Sequence, residues 1–149
     1  MSPIDNLYFE YTKVRNIDIN KEQFIYILNL YPALLVVLSD GIVDGDEWKT
    51  VKKLATILGK EFATTDLGLE KEENLTLIYK SEFKYLLKSR TQWERKFLDT
   101  LKEYFTKNHS SKEFVLETMF LFANSSNGIS IEEDKMIDSL TEELGLQNA

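Results

Sequence analysis

Two short acidic segments hold the residues of this 149-residue chain whose types and spacing could do chemistry. The first, DGIVDGDE at 40–47, interleaves four acids with two glycines. The second, NGISIEED at 127–134, is also rich in side-chain oxygens. Clustered carboxylates on a tight backbone are the ligands that Ca²⁺ and Mg²⁺ prefer. The segments therefore predict a divalent-cation site whose candidate ligands are Asp40, Asp44, Asp46, Glu47, Glu132 and Glu133.

The spacing in the first segment is not that of an EF-hand loop. With Asp40 at the first position, Gly45 falls correctly at the sixth. Ile42, however, occupies the third position, and Val51 the twelfth, where an EF-hand requires a bidentate Glu. A metal site here would need another arrangement, one that draws on both segments.

Helix capping explains several of these carboxylates without a metal. In a capping box, the N-cap side chain and the side chain three residues later each accept a hydrogen bond from the other's backbone N–H. Two pairs have this spacing, Asp44 with Glu47 and Ser130 with Glu133. Judged from residue types and spacing alone, capping and turn chemistry account for more of the acidic residues in the two segments than metal ligation does. Asp46 and Glu132 have no capping role and are the stronger ligand candidates.

The acidic segments belong to an approximate internal repeat. Each follows an apolar stretch and precedes a predicted helix that ends at Leu-Gly, and positions 51, 54, 58 and 59 return as 137, 140, 144 and 145. Gly59 and Gly145 suit the left-handed residue that ends many helices. The repeat units span roughly 24–59 and 114–146, and a pseudo-two-fold bundle of helical hairpins would bring the acidic segments onto related positions.

Capping signatures and apolar stripes at helical spacing run along the whole chain. The predicted N-cap and N3 pairs are Ser2–Asp5, Asn20–Gln23, Asp44–Glu47, Thr91–Glu94, Ser110–Glu113 and Ser130–Glu133. Only two prolines occur, and no segment alternates in the manner of a strand. The pattern predicts one all-α domain over residues 1–149, a compact bundle of about seven helices.

The apolar run at 33–38, ALLVVL, could form a buried strand or a buried helix. We predict a helix, because no second strand-like run is present to satisfy the backbone of the first. Pro32, immediately before the run, would mark either a kink or the first turn of a new helix.

Composition excludes several classes of protein. The formal net charge of −7 and the pI near 4.8 argue against a nucleic-acid surface and favour cations or basic partners. The absence of Cys excludes disulfides and thiolate metal sites, and a single His, His109, excludes sites that need two imidazoles. A signal peptide and a membrane span are not predicted, so a cytoplasmic protein is expected.

At the acidic segments the chain resembles the TerB-like family, which is associated with tellurite resistance and related bacterial stress systems. The resemblance rests on Asp40-Gly41-x-Val43, Glu47, the helix end Leu58-Gly59 and the degenerate return at 127–130. It implies a compact helical module without catalytic activity, which in some members binds Ca²⁺ or another divalent cation and which joins membrane-associated protein complexes. In the second segment Asn127 replaces the family's Asp and one residue is missing before the cap, so the first segment is the better candidate for a site.

Two alternatives to a cation-binding module stay open. One is a metal-free helical scaffold that binds protein partners. The other is a Mg²⁺-dependent helical nucleotide hydrolase, for which Glu70, Glu72 and Glu73 would supply carboxylates. Because the facing Glu-x-x-Glu and Glu-x-x-Asp pairs of such enzymes are missing, we predict that the chain is not an enzyme.

A row of basic residues at 80, 84 and 88 continues through Arg90, Arg95 and Lys96. Such a row is typical of a solvated helix face. The alternative is a docking stripe for an acidic partner or for anionic lipid headgroups, which would suit a peripheral position at the inner face of the membrane. His109 is predicted to be an exposed loop residue, and Trp48 and Trp93 to pack in the core.

Overall fold

The computed structural model describes residues 2–39, 48–49, 51–53, 55–56, 69–124 and 129–148, with only the backbone described for 69–75 and 148. Residues 48, 49, 51–53, 55 and 56 are helical and are called α3. The other helices are α1 (Pro3–Arg15), α2 (Lys21–Leu38), α4 (Leu69–Lys88), α5 (Arg90–Lys107), α6 (Ser111–Ala123) and α7 (Ile131–Leu144), followed by a 3₁₀ turn (Leu146–Asn148). No strand occurs in these ranges, and the predicted all-α class is confirmed.

Three of the predicted capping boxes are present. They begin α1, α2 and α7, and each has both reciprocal hydrogen bonds, in the pairs Ser2–Asp5, Asn20–Gln23 and Ser130–Glu133. At the end of α7, Gly145 has φ of 67°, the left-handed conformation that was predicted for it. The Asp44–Glu47 pair and Gly59 lie outside the described residues.

The capping boxes predicted for α5 and α6 are wrong. Only Ser89 separates α4 from α5, so α5 begins at Arg90 and Thr91 already lies inside the helix. Glu94 instead forms an ion pair with Arg90 at 2.8 Å. At α6, Ser110 has helical dihedral angles and makes no side-chain cap, and backbone carbonyls of the preceding turn accept from the N–H groups of Ser111 and Lys112.

The run at 33–38 is helical, as predicted, and it continues α2 without a break. Pro32 lies inside α2, so of the two alternatives for this residue the start of a new helix is wrong. Residues 27–37 of α2 are all buried, and α2 packs against α1, α4, α5, α6 and α7, most extensively against α6. A helix that is apolar on all sides must be surrounded in this way, which makes α2 the centre of the bundle.

By length and composition α2 could also cross a membrane, since its 18 residues have a mean hydropathy of 1.2. Within the bundle, 67% of that stretch is buried by the other helices. A core helix meets the same criteria as a membrane span, so this finding is weak evidence for one.

Aromatic rings fill the junction of α1, α2 and α5. The Tyr11 ring lies 5.0 Å from Trp93, 5.5 Å from Phe24 and 5.6 Å from Phe97, measured between ring centroids. The Tyr31 ring lies 4.6 Å from Phe97. Trp93 is fully buried and Trp48 packs partly buried against the core, as predicted for both. Edge-on and tilted pairs of this kind add to the energy of burying the rings.

Candidate functional site

The two candidate ligands in the second acidic segment, Glu132 and Glu133, differ in burial and in hydrogen bonding. Glu133 is 3% exposed, and its Oε1 accepts a hydrogen bond from the Ser130 N–H at 3.0 Å. The Ser130 hydroxyl oxygen accepts from the Glu133 N–H at the same distance. The other carboxylate oxygen, Glu133 Oε2, is buried and has no hydrogen-bond partner among the residues that the structure describes. Glu132 is exposed to solvent. Glu133 is therefore a capping residue with one spare oxygen.

The first acidic segment, with Asp40, Asp44, Asp46 and Glu47, lies outside the described residues, as does Asn127. Within the ranges that are described, no three His, Asp or Glu side chains are grouped so that they could hold a metal ion. Ligation by the six candidate carboxylates stays a prediction. The same holds for the structural likeness of the two repeat units, although the paired positions Val51 and Ile137 are both buried.

A buried ionic cluster joins α1 to α4, and the sequence analysis missed it. Glu82 is 1% exposed and accepts three hydrogen bonds: from Arg15 Nε at 2.7 Å, from Arg15 Nη2 at 3.1 Å and from the Tyr11 hydroxyl at 2.8 Å. The Arg15 guanidinium also lies 3.8 Å from the centroid of the Tyr85 ring, and the Tyr85 hydroxyl accepts from Trp93 Nε1 at 2.8 Å. The sequence does hold a signal for this cluster, because Glu82 falls on the buried stripe formed by Tyr79, Phe83 and Leu86.

The electrostatics of this cluster favour structure over catalysis. The hydrogen bonds that Arg15 donates to Glu82 raise the pKa of Arg15, so the guanidinium stays charged. Burial, with the adjacent Glu82 carboxylate, raises the pKa of Tyr11 well above its usual range, so this hydroxyl stays protonated. Both carboxylate oxygens of Glu82 accept hydrogen bonds within the protein, from the guanidinium of Arg15 and the hydroxyl of Tyr11. The cluster therefore connects two helices.

A surface cavity of about 420 Å³ lies where α2, α5 and α6 meet. Its lining includes three aromatic rings, one carboxylate and one buried amide, those of Tyr26, Tyr104, Phe114, Glu22 and Asn29. Asn29 Nδ2 donates to the Ile25 carbonyl at 2.9 Å, whereas Asn29 Oδ1 is buried without a partner. The volume falls in the range of small-ligand pockets, roughly 300–1,000 Å³. The sequence showed no sign of this cavity, because its residues come from three helices.

The surface of α6 that faces away from the core is unusually apolar. Phe114, Phe120 and Leu121 are 36%, 40% and 56% exposed, and at 100° per residue they lie on one arc of the helix with Glu113 and Glu117. We call these five residues the α6 outer face. In the other helices, where side chains are described, the exposed large apolar residues, such as Val14 on α1 and Leu77 on α4, occur singly or in smaller numbers on a helix. Single exposed apolar residues are ordinary, whereas grouped ones mark interaction surfaces.

Half of the predicted basic row is paired with carboxylates. Arg90 pairs with Glu94, Arg95 with Asp99 and Glu143, and Lys96 with Glu10. Lys84 and Lys88 are exposed and Lys80 is half-buried. This arrangement favours a solvated helix face with surface ion pairs over a docking stripe. His109 is exposed in the turn before α6, as predicted.

Comparison of the chain with protein-family models, with curated proteins and with solved structures finds no match.

Proposed function

We propose that this chain is a non-catalytic, TerB-like helical interaction domain that binds a basic, amphipathic segment of a protein partner on the α6 outer face. The single observation that supports this proposal most is the exposure of Phe114, Phe120 and Leu121 on one arc of α6. Helices that bind in grooves or on helix faces use apolar anchors at this kind of spacing.

The charges on and around α6 favour a basic partner. Glu113 and Glu117 lie between the apolar side chains, and neither forms an ion pair within the part of the chain that the structure describes. The chain as a whole carries a formal net charge of −7. A partner segment with apolar anchors and Lys or Arg between them would bury the apolar residues, and complementary charge would speed its association.

Selection of random peptides on the immobilised protein tests this proposal. We expect enriched peptides that combine large apolar residues with Lys or Arg. Leu121→Glu should weaken their binding at least about tenfold, because it places a charge where an apolar anchor docks, and tenfold corresponds to about 1.4 kcal/mol. Val14→Glu is the matched control, since Val14 is 54% exposed and Leu121 is 56% exposed. Peptides without basic residues, or equal losses in both variants, would count against the proposal.

A divalent cation, Ca²⁺ or Mg²⁺, bound at the acidic segments is a second candidate function. The observation that favours it is Glu133 Oε2, a buried carboxylate oxygen with no hydrogen-bond partner at the start of α7. Buried carboxylate oxygens without partners are costly, and ligation by a hard cation would remove that cost. In this proposal the first acidic segment supplies the remaining ligands and Asp46 is the foremost of them.

Calorimetric titration of the metal-free protein with Ca²⁺ and with Mg²⁺ tests the cation proposal. We expect binding heat in the wild type, and its loss in Asp40→Ala and Asp46→Ala. Glu142→Gln, an exposed change on α7, is the control for net charge. Absence of heat in the wild type would leave the metal-free scaffold as the function. Turnover of a nucleoside triphosphate with Mg²⁺ that is abolished by Glu72→Gln would contradict the non-catalytic assignment.

A further inference from the structure

Aromatic rings and acceptor oxygens line the cavity between α2, α5 and α6, and no basic side chain is among its described lining residues. The rings of Tyr26 and Phe114 stand nearly perpendicular, at 86° with their centroids 6.4 Å apart, and the Tyr104 ring lines the cavity as well. The negative faces of such rings attract cations, Lys ammonium groups among them, and sets of aromatic walls are the usual means by which proteins bind quaternary ammonium groups.

The polar lining of the cavity also suits a cation. Glu22, Tyr26 and Asn29 are spaced along one face of α2 at i, i+4 and i+7, and all three line the cavity. The Glu22 carboxylate makes no ion pair in the described ranges, and no Lys or Arg is among the lining residues there. An anionic ligand would meet this carboxylate without a positive charge to compensate for it.

Asn29 adds an acceptor that the folded chain does not use. It is 5% exposed, its Nδ2 is bonded within α2, and its Oδ1 has no partner. More than nine in ten buried polar groups in proteins are satisfied, so an unsatisfied one beside a cavity indicates a missing donor. A donor with N–H groups and a positive charge fits both Asn29 and Glu22.

We propose that this cavity binds the primary ammonium group of a lysine side chain, carried by the partner segment that docks on the α6 outer face. The inference rests on the proposed function, because Phe114 belongs to both surfaces and connects them. The alkyl chain of the lysine packs on the rings of Tyr26 and Phe114, and its ammonium group donates to Glu22 and to Asn29. A quaternary ammonium lacks N–H donors and satisfies neither acceptor by hydrogen bonding.

Titration of the ¹⁵N-labelled protein with n-butylammonium chloride, monitored by NMR at constant ionic strength, tests the pocket without any partner. We expect saturable shifts at the side-chain amide of Asn29 and at backbone amides around Phe114, and no such shifts with 1-butanol. Glu22→Gln should weaken binding at least about fivefold, because it removes the carboxylate but keeps its shape. Glu142→Gln, which removes one exposed carboxylate outside the cavity, should change the affinity for n-butylammonium by less than about twofold.

Two further results decide whether the ligand is a partner's lysine. A selected peptide should displace n-butylammonium, and replacing its lysine by norleucine should weaken the peptide at least about fivefold. If the norleucine peptide binds as tightly as the lysine peptide, the lysine proposal is overturned, even where Leu121→Glu abolishes peptide binding. The proposal for the cavity and the proposal for the α6 outer face can therefore fail separately. Equal shifts with 1-butanol, or equal losses in Glu22→Gln and Glu142→Gln, would overturn the ammonium pocket itself. Phe114→Ala provides a second variant at an exposed position, and it should weaken the binding of both n-butylammonium and the selected peptide.

Discussion

Three buried side-chain atoms in the described ranges lack a hydrogen-bond partner, namely Asn29 Oδ1, Tyr31 Oη and Glu133 Oε2. By contrast, the Glu82 side chain is also buried but accepts three hydrogen bonds. An unsatisfied buried group costs stability, whereas a satisfied one contributes a little. Asn29 and Glu133 lie at the two places where a ligand is proposed, and Tyr31 lies in the aromatic core.

Tyr31→Phe should stabilise the protein. The change keeps the ring that packs on Phe97 and removes a hydroxyl without a partner, so we expect the free energy of unfolding to rise by about 1 kcal/mol at pH 7. Urea unfolding measures this difference. Burial raises the pKa of Tyr31 above its usual value near 10. The unfolded tyrosine therefore ionises first, stability is lost as the pH rises above about 10, and Tyr31→Phe should lose less of it.

Tyr11→Phe is the matched comparison, because it removes a buried hydroxyl that does have a partner. Its hydrogen bond to the Glu82 carboxylate is 2.8 Å long, and hydrogen bonds to charged groups contribute about 1.5–3 kcal/mol. We expect Tyr11→Phe to lower the free energy of unfolding by about 2 kcal/mol. If Tyr11→Phe stabilised the protein, or Tyr31→Phe destabilised it, the presence of a hydrogen-bond partner would not be what sets the effect of a buried tyrosine hydroxyl on the free energy of unfolding.

Between elements, the most buried ion pair in the described helices is that of Arg15 on α1 and Glu82 on α4. The side chain of Glu82 is 2% exposed and that of Arg15 is 25% exposed, so the pair is screened little by water. The surface pairs within and between the other helices are much more exposed. One buried carboxylate therefore connects α1 to α4.

Glu82→Gln should be strongly destabilising. It keeps the shape of the side chain but leaves Arg15 without its counter-charge, and breaking a buried pair costs about 3 kcal/mol or more. Glu94→Gln is the control, because Arg90 and Glu94 are 40% and 33% exposed within α5, and it should cost less than about 1 kcal/mol. Urea unfolding of both variants provides the measurement. A Glu82→Gln loss no larger than that of Glu94→Gln would contradict the structural role of the cluster.

At the scale of the whole molecule, α2 contacts five other helices and holds the bundle together. Burial of residues on every side of α2 ties the N-terminal helix α1 and the C-terminal helix α7 to one core. A chain organised around one central helix should behave as one cooperative unit, and the single domain over residues 1–149 stays a prediction that unfolding can test.

Unfolding should therefore show one transition. We expect the loss of tryptophan fluorescence, which reports mainly on the buried Trp93, to coincide with the loss of far-ultraviolet circular dichroism as urea is raised. Two separated transitions would show that the chain contains more than one cooperative unit.

Local chemistry was enough to predict several elements of this protein. The all-α class, the capping boxes of α1, α2 and α7, the left-handed Gly145 and the helical run at 33–38 all follow from residues within a few positions of one another. Capping and helical periodicity act over three to seven residues, so a sequence displays them directly. The errors at α5 and α6 arose where short connections and turn backbone bonds replaced side-chain caps.

The tertiary structure alone decided which distant side chains meet. Arg15 and Glu82 are 67 positions apart, and the cavity with Asn29 unites α2, α5 and α6. It also decided which apolar residues of α6 stay in solvent, since a helix that is apolar nearly all round does not reveal which arc packs on α2. Burial and charge pairing depend on the packing of helices far apart in the chain. For that reason the acidic segments were visible in the sequence, whereas the pairing of Arg15 with Glu82 and the proposed ammonium pocket were not.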